Sequence, residues 1–463
     1  MSDVAKGVRT VAPTGVRAAP EESDETLWRE AAAVLDGNWT GTYTVPSRTL
    51  YPHQWSWDAG FISIGLAHVA PDRAWRDLRS LFEAQWPDGR VPHISFDPGV
   101  TERDYFPGPA FWRTGGGRES AADAARPPRP SSGIVQPPVH ALAAWLCHQR
   151  NPDATAVAEL RWLYPRLVAQ QEYLATARDV GGAGLSALVH PWESGLDNSP
   201  AWDDALANVP VDLAALRRHS RHDTQVIASS HRPTDEDYAR YLTIASAYRD
   251  EGYRDAGLAD RHPFLVECPG FNALRAAAEQ ALARIAEVVG ADPAPHRARA
   301  AAITTALLDR LFDPDTGMFH VRDLRTGRRS PARCVNGLLP LILPDLPAAQ
   351  VESLVAAITS PRFGISERMP VPSYDRCAAD FDPYRYWRGP VWFNINWLLW
   401  RGLLTHHREA LAGRLRGALL DLVRRSGSYE YFHPETGAGI GSPSFSWTAA
   451  LTLDLLAGAD EAG

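Results

Sequence analysis

Apolar residues along this chain recur at intervals of three and four, far more than in strict alternation, and that period predicts helices. The first runs from Thr26 to Leu35 and ends near Gly37 and Asn38. A second opens after Asp58, with Phe61, Ile64, Gly65 and His68 continuing it. Its partner spans Pro71 to Trp86, with Trp75, Leu78, Leu81 and Phe82 on one face. The pattern resumes over Pro137–Gln149 and Ala154–Ala177, where Leu160, Leu163, Leu167 and Leu174 mark the buried stripe. Further helices are expected over 235–254, 270–289, 296–311, Ala348–Ile358, Gly389–Leu404, His407–Arg425 and Ser446–Leu456. Strand candidates are few and short, Met318–Val321 among them. Many helices without alternating strands argue against a parallel sheet.

A circular array of helical hairpins, an (α/α) toroid, brings loops from distant segments to one end. Aromatic and acidic loops do follow helices throughout this chain, as that geometry requires. An open helical solenoid has the same periodicity and stays open as an alternative. The expected organisation is a disordered tail over residues 1–24 and one all-α domain over 25–457. Within it, Pro92-His93 begins a long irregular stretch that includes Gly115-Gly116-Gly117 and Pro127-Pro128-Arg129-Pro130. A loop of that size in a compact domain is functional or flexible, so 93–133 is expected to be a flap beside the site.

Composition narrows the ligand class. The 463 residues carry a net charge of -8, and 45% are hydrophobic, as in an ordinary soluble protein without a nucleic-acid surface. The basic pairs Arg217-Arg218 and Arg328-Arg329 read as solvated faces. No run approaches ~18 apolar residues, so no membrane association is expected. Met1 to Thr26 lacks a secretory pattern, which makes a reducing cytoplasm the expected location. Cys147, Cys268, Cys334 and Cys377 form no metal-spaced pair, and neither a nucleophile elbow nor a phosphate loop is present. No metal and no cofactor are expected. The outlier is tryptophan, with 16 copies, several set among acids in Gln54-Trp55-Ser56-Trp57-Asp58 and Tyr386-Trp387-Arg388-Gly389-Pro390-Val391-Trp392. Indole faces stack on the C–H faces of a pyranose while carboxylates accept its hydroxyls, so carbohydrate is the first ligand to consider. The competing reading is that these rings fill a large core.

One stretch joins both ingredients: His190-Pro191-Trp192-Glu193-Ser194-Gly195-Leu196-Asp197-Asn198-Ser199-Pro200-Ala201-Trp202-Asp203. Its prolines and Gly195 predict irregular backbone. Asn198-Ser199-Pro200 would also suit a helix start, but a cap does not account for the tryptophans. Glycoside hydrolysis needs one carboxylic acid to protonate the leaving oxygen and a second carboxylate to activate water or attack the sugar. Asp197 is the first candidate. Glu430, between Tyr429 and Tyr431, is the second, with a structural role still open for it; Glu435, in a Pro-Glu-Thr-Gly turn, reads as solvated. His93 could reach a sugar hydroxyl or be a satisfied structural histidine.

These segments resemble the family-63 glycoside hydrolases. Glu193-Ser194-Gly195-Leu196-Asp197-Asn198-Ser199-Pro200 is similar to their general-acid loop. Tyr386-Trp387-Arg388-Gly389-Pro390-Val391-Trp392-Phe393-Asn394-Ile395-Asn396 resembles their Trp-Arg-Gly-Pro helix start. Glu430-Tyr431 with Thr436-Gly437 is similar to their general-base segment. The motifs keep the family's order over about residues 50–450, and together they are specific. The resemblance implies an (α/α)6 barrel and hydrolysis with inversion, Asp197 being the general acid and Glu430 the general base. For inversion the two carboxyls are expected about 6.5–9.5 Å apart.

Within the family, the length and four segments resemble the bacterial glucosylglycerate and mannosylglycerate hydrolases. The segments are Tyr51–Asp58, Tyr105–Pro109, Gln136–His140 and Arg232–Tyr238. This implies that Trp57, Asp58, Trp192, Trp387 and Trp392 line the sugar subsite. It also implies that Arg232 and Tyr238, with His93, Tyr105 and Gln136, reach the glycerate. Tyr51, Trp55, Tyr386 and Arg388 complete the expected binding set. The insert Thr114–Ser132 is longer than the branch suggests. Arg232 would supply a bidentate carboxylate clamp that lysine could not match; its alternative is a surface ion pair with Asp235 or Asp237. The expected activity is therefore inverting hydrolysis of glucosylglycerate, with mannosylglycerate as a further substrate. A neutral α-glucoside such as trehalose, or a non-catalytic carbohydrate-binding toroid, stands as the alternative. The expected partner is a small sugar substrate with an anionic aglycone, and a homo-oligomer is compatible with the sequence.

Overall fold

A computed structural model describes residues 23–101, 104–114, 128–217, 221 and 223–458. Nearly all of the expected tail, and Gly115-Gly116-Gly117 with the rest of 115–127 in the expected flap, lie outside the described residues. The chain is mostly helical. The longer helices are α1 (Asp24–Asn38), α2 (Ser56–Val69), α3 (Pro71–Phe82), α4 (His140–Arg150), α5 (Ala154–Thr176) and α6 (Asp235–Asp250). They continue with α7 (Pro269–Val289), α8 (Ala294–Leu311), α9 (Ala348–Thr359), α10 (Phe393–Thr405), α11 (Glu409–Ser426) and α12 (Ser446–Ala457).

Two kinds of helix sequence sort into two environments. α2, α10 and α12 are buried on nearly every face, and accordingly they are largely apolar all round rather than striped, whereas α7 buries Asn272, Arg275 and Glu279 and keeps Arg284 and Glu287 exposed. α3 and α11 bury one stripe, Trp75–Leu78–Leu81 and Leu415–Leu419–Leu422 respectively. α2 packs on α3, α4 and α12; α4 packs on α7; α12 packs on α1 and α10. Between α7 and α10 stands a 3-10 turn, Leu339–Ile342, which touches both. The spacing did not predict an element there, because Pro340 interrupts any helical pattern. α6 packs instead beside the short helix Leu213–Leu216.

Helix starts differ from expectation where proline intervenes. The helix expected from Gly389 begins at Phe393, because Val391 pairs in extended form with Phe432 and Pro372. The one expected from Pro137 begins at His140, and the one from Pro71 ends at Phe82 rather than Trp86. Every strand is two residues long. β1 (Gln54–Trp55) pairs antiparallel with β2 (Ile94–Ser95), Trp55 opposite Ile94. β4 (Val266–Glu267) pairs antiparallel with β3 (Ala187–Leu188) on one side and β7 (Arg322–Asp323) on the other. β5 (Phe312–Asp313) pairs with β6 (Met318–Phe319), and β8 (Tyr431–Phe432) with β9 (Gly439–Ile440). Among the described residues no helix is long and apolar enough to cross a membrane.

Candidate active site

The stretch after β3 folds as two 3-10 turns, Pro191–Ser194 and Pro200–Trp202, joined through Gly195 and Asp197. Both readings of Asn198-Ser199-Pro200 hold at once: the Ser199 hydroxyl caps the second turn, and Pro200 opens it. Gly195 is left-handed, with φ 73°, and a Cβ there would stand 2.5 Å from the Trp57 ring. Only glycine lets the turn close against that indole. The Trp202 indole N–H donates to the Leu196 carbonyl (2.8 Å), and the Trp387 amide donates to the Asn198 side chain (3.0 Å). Asp197 is thus held from both sides. Burial drives its carboxyl up to about 7, against the pull of Arg232 and with the reinforcement of Glu430 and Asp223.

Glu430 enters from the other end of the chain, on the residue before β8. Its carboxylate accepts the Tyr51 hydroxyl (2.7 Å), the Tyr386 hydroxyl (3.2 Å) and the Ser442 amide (3.1 Å). Arg232 Nη1 lies 3.8 Å from Oε1. Burial raises the carboxyl, while Arg232 and the three donors pull it back toward the anion. By contrast, no side-chain donor meets the Asp197 carboxylate among the described residues. The donor sets differ in what they favour: three donors and a nearby cation favour the charged form of Glu430, whereas burial without a side-chain donor favours the protonated form of Asp197. Asp58, at the start of α2, is buried too, and its carboxyl is held well above the usual range by desolvation, with Glu430 and Asp197 adding to it.

All three carboxyls wall one cavity with about 820 Å³ of empty space, its mouth included. Of the residues singled out in the sequence, Tyr51, Trp55, Trp57, His93, Tyr105, Gln136, Trp192, Arg232, Tyr238, Tyr386 and Trp392 also line it. Gln136 accepts the Trp57 amide through its carbonyl oxygen (3.1 Å). His93 is fully desolvated and kept neutral by burial. Arg232 is not a surface residue. Its Nε donates to Asp223 (3.2 Å), its Nη1 to the Tyr51 hydroxyl (3.3 Å), and it lies over the Tyr386 ring. Asp235 pairs instead with Arg221.

Two expected lining residues are not in the wall. Trp387 stacks behind Trp392, centroids 3.8 Å apart and planes 5° from parallel. Tyr386 has a φ of 35°, and that turn sends its ring to the cavity and its neighbour's ring behind. Arg388 donates to Asp203 (2.7 Å) and Asp380 (2.8 Å), so its charge is neutralised outside the wall. Conversely, Leu50, Phe106, Pro107, Gly195, Asp223, Phe445 and Trp447 line the cavity and were not singled out as contacts. Phe445 and Trp447 carried a usable signal, an aromatic pair at a helix start; Asp223, in a charged polar stretch, carried none. No cluster of three or more His, Cys, Asp or Glu suited to a metal ion is found among the described residues.

Two acids with unlike donor sets in an aromatic cleft suit glycosidic bond cleavage, and the comparisons bear on that directly. The family described as a mannosylglycerate hydrolase MGH1-like glycoside hydrolase domain matches residues 51–448. The chain belongs to the MGH1-like glycoside hydrolases of family 63. This hydrolase is 41% identical over 437 residues to mannosylglycerate hydrolase from Rubrobacter radiotolerans, covering 93% of this chain and 97% of the relative. It is 37% identical over 464 residues to glucosylglycerate hydrolase from Mycolicibacterium hassiacum, covering 94% and 99%. Its fold is similar to that of family-63 mannosylglycerate hydrolase from Thermus thermophilus in complex with Tris and D-glycerate. There the TM-score is 0.84 at 38% identity, covering 92% of this chain and 99% of that one.

Proposed function

We propose that this glycoside hydrolase cleaves the α-glycosidic bond of a hexosylglycerate, glucosylglycerate or mannosylglycerate, with inversion at the anomeric carbon. Asp197 gives its proton to the bridging oxygen as the C1–O bond breaks, and glycerate leaves as the alcohol. A water on the opposite face, losing its proton to Glu430, adds to C1 and yields the β-hexose. Proton exchange with solvent then restores both groups. The observation that carries this reading is that two carboxyls more than two hundred positions apart in sequence, Glu430 buried and Asp197 half-buried, wall one cavity with unlike donor sets. Trp57 and Trp192 offer ring surface to the pyranose, Trp392 reaches the cavity only by its edge because Trp387 and Tyr431 stack on it, and Arg232 offers charge to the glycerate carboxylate. The helix packing, in which α12 returns to α1 and α2, supports a closed (α/α)6 ring in which Leu339–Ile342 takes the place of one inner helix. His93, Tyr105, Phe106 and Pro107 line the cavity, which supports a flap role for 93–133.

A neutral glycoside is the second reading, and one observation favours it: Arg232 already serves Asp223 and Tyr51 and stands beside Glu430. Arg232→Ala separates the two. A clamp predicts a kcat/KM loss of about 10²-fold or more on glucosylglycerate and mannosylglycerate with trehalose hydrolysis unchanged. Equal losses on every substrate would make Arg232 a partner of Glu430 alone. Proton NMR of the first turnovers tests inversion: β-hexose must precede α-hexose, and initial α-hexose rules out the single displacement.

A further inference from the structure

Directly beneath the acid loop lies a buried ionic group that the hydrolytic steps above do not use. The Arg178 guanidinium, wholly inaccessible, donates to both oxygens of Glu193, 2.9 Å from Nη1 to Oε2 and 2.8 Å from Nη2 to Oε1. Its Nε donates to Asp255 (2.9 Å), which also accepts Arg90 (3.1 Å) and the hydroxyls of Tyr173 and Tyr248 (3.0 and 2.6 Å). Two cations and two anions thus cancel inside the protein, the condition under which buried charge is tolerated.

What matters is where Glu193 spends its remaining acceptor capacity. Oε2 takes the Val189 amide (2.8 Å), at the entrance to the acid turn, and Oε1 takes the Val135 amide (3.2 Å), next to the cavity-lining Gln136. Arg90 holds the same strand of chain from below through the Gly133 carbonyl (2.7 Å). One carboxylate therefore fixes the height of the turn carrying Trp192 and Asp197 relative to the segment carrying Gln136. Four residues on, the turn ends at Asp197 with Gly195 pressed on Trp57.

We propose that Glu193, clamped by Arg178, is a positioning residue for the general acid: it fixes the height of the 189–197 turn and with it the place of Asp197 in the cavity wall. The proposal rests on Asp197 being that acid. Asp197 is faced by Arg232 and Asp223, by Glu430, and by Asp58 from α2. Tyr105, Tyr238 and Tyr241 also face it, and so does Tyr386. Glu193 itself is not in contact with the Asp197 carboxyl, so its effect must travel through the backbone of the turn. Loosening the turn admits water, and a hydrated aspartic acid ionises at lower pH.

The test is the pH profile of kcat/KM on glucosylglycerate or mannosylglycerate for the wild type, Glu193→Gln and Arg178→Lys, with Asp197→Asn in parallel. The wild-type alkaline limb is expected near pH 7, where Asp197 loses its proton. In Glu193→Gln and Arg178→Lys it moves down by about one to two pH units, and kcat at pH 7 falls by about 10- to 100-fold with KM within about threefold. Should Glu193→Gln fail to fold, Arg178→Lys keeps every charge balanced and carries the same measurement. An unmoved alkaline limb in folded Arg178→Lys or Glu193→Gln, beside an inactive Asp197→Asn, overturns the positioning role alone. Full turnover by Asp197→Asn overturns the acid assignment and the positioning role together.

Discussion

Glu193 and Asp197 stand four residues apart on one turn and meet opposite surroundings. Glu193 has both oxygens saturated by Arg178 and two backbone amides and faces no cavity. Asp197 has no side-chain donor among the described residues and faces open space beside two other carboxyls. Burial alone therefore does not mark a reactive acid. A buried carboxylate whose oxygens are all used is a structural anchor, whereas one left without donors in a cavity keeps a proton it can give away. Glu430 sits between these extremes: it has three donors and a nearby cation, yet it opens on the same cavity as Asp197.

The sharpest break of the comparison removes the reactive member. Asp197→Asn and Glu430→Gln should each lower kcat by roughly 10²–10⁴-fold while circular dichroism and solubility stay those of the wild type. Near-normal turnover in either would place the chemistry elsewhere. A smaller effect comes from crowding the base. Gly441 has φ 77°, and a Cβ there would stand 2.5 Å from Glu430 Oε2. Gly182 also has positive φ, 64°, but nothing lies within 4 Å of its Cβ position. Gly441→Ala should therefore cost about 10²-fold in kcat by displacing the carboxylate, as misplacement of a reacting group does. Gly182→Ala should cost only stability, about 1–2 kcal/mol of backbone strain, with kcat unchanged. Equal kinetic effects in the two variants would mean that backbone strain, not crowding of Glu430, is responsible.

The helices were legible because burial on one stripe writes itself into residue spacing. α5, expected over Ala154–Ala177, is Ala154–Thr176, and α12 begins at Ser446 as the pattern indicates. Short helices such as Asp203–Leu206 and Leu258–Arg261 were missed, since four residues are too few to show a period. So were the two-residue strands, which tertiary pairing imposes on sequence of no particular alternation. At the site, aromatic and acidic clustering identified the walls but not which way each ring faces. In Tyr386-Trp387 the backbone turn at Tyr386 decides it, and a left-handed tyrosine, unlike a left-handed glycine, is not marked by its residue type. The Arg178–Glu193 fork was hidden for a different reason: the partners are 15 positions apart on separate elements, and the neighbourhood of Arg178 carries no signal that points to Glu193.

The smallest expected effect tests the electrostatic half of the comparison without any substrate. Asp197 binds its proton more tightly folded, up to about 7, than an ordinary aspartate does at 3.8. A carboxyl with a raised folded value favours folding fully below its unfolded value, and that advantage is lost as pH rises through 7. Above pH 7 the wild type must carry a poorly solvated charge that asparagine does not. Asp197→Asn should therefore melt higher than the wild type at pH 8, by about 2–4 °C. The gap should grow from pH 4 to 7 and level off above. Glu193→Gln should do the reverse at every pH in that range, melting lower because it leaves Arg178 with one anion, Asp255, where it had two. Calorimetry at pH 5 and 8 reads both. If Asp197→Asn is no more stable at pH 8 than at pH 5 relative to the wild type, Asp197 is already solvated and ionised in the free enzyme. The contrast with Glu193 would then have to be one of packing rather than of charge.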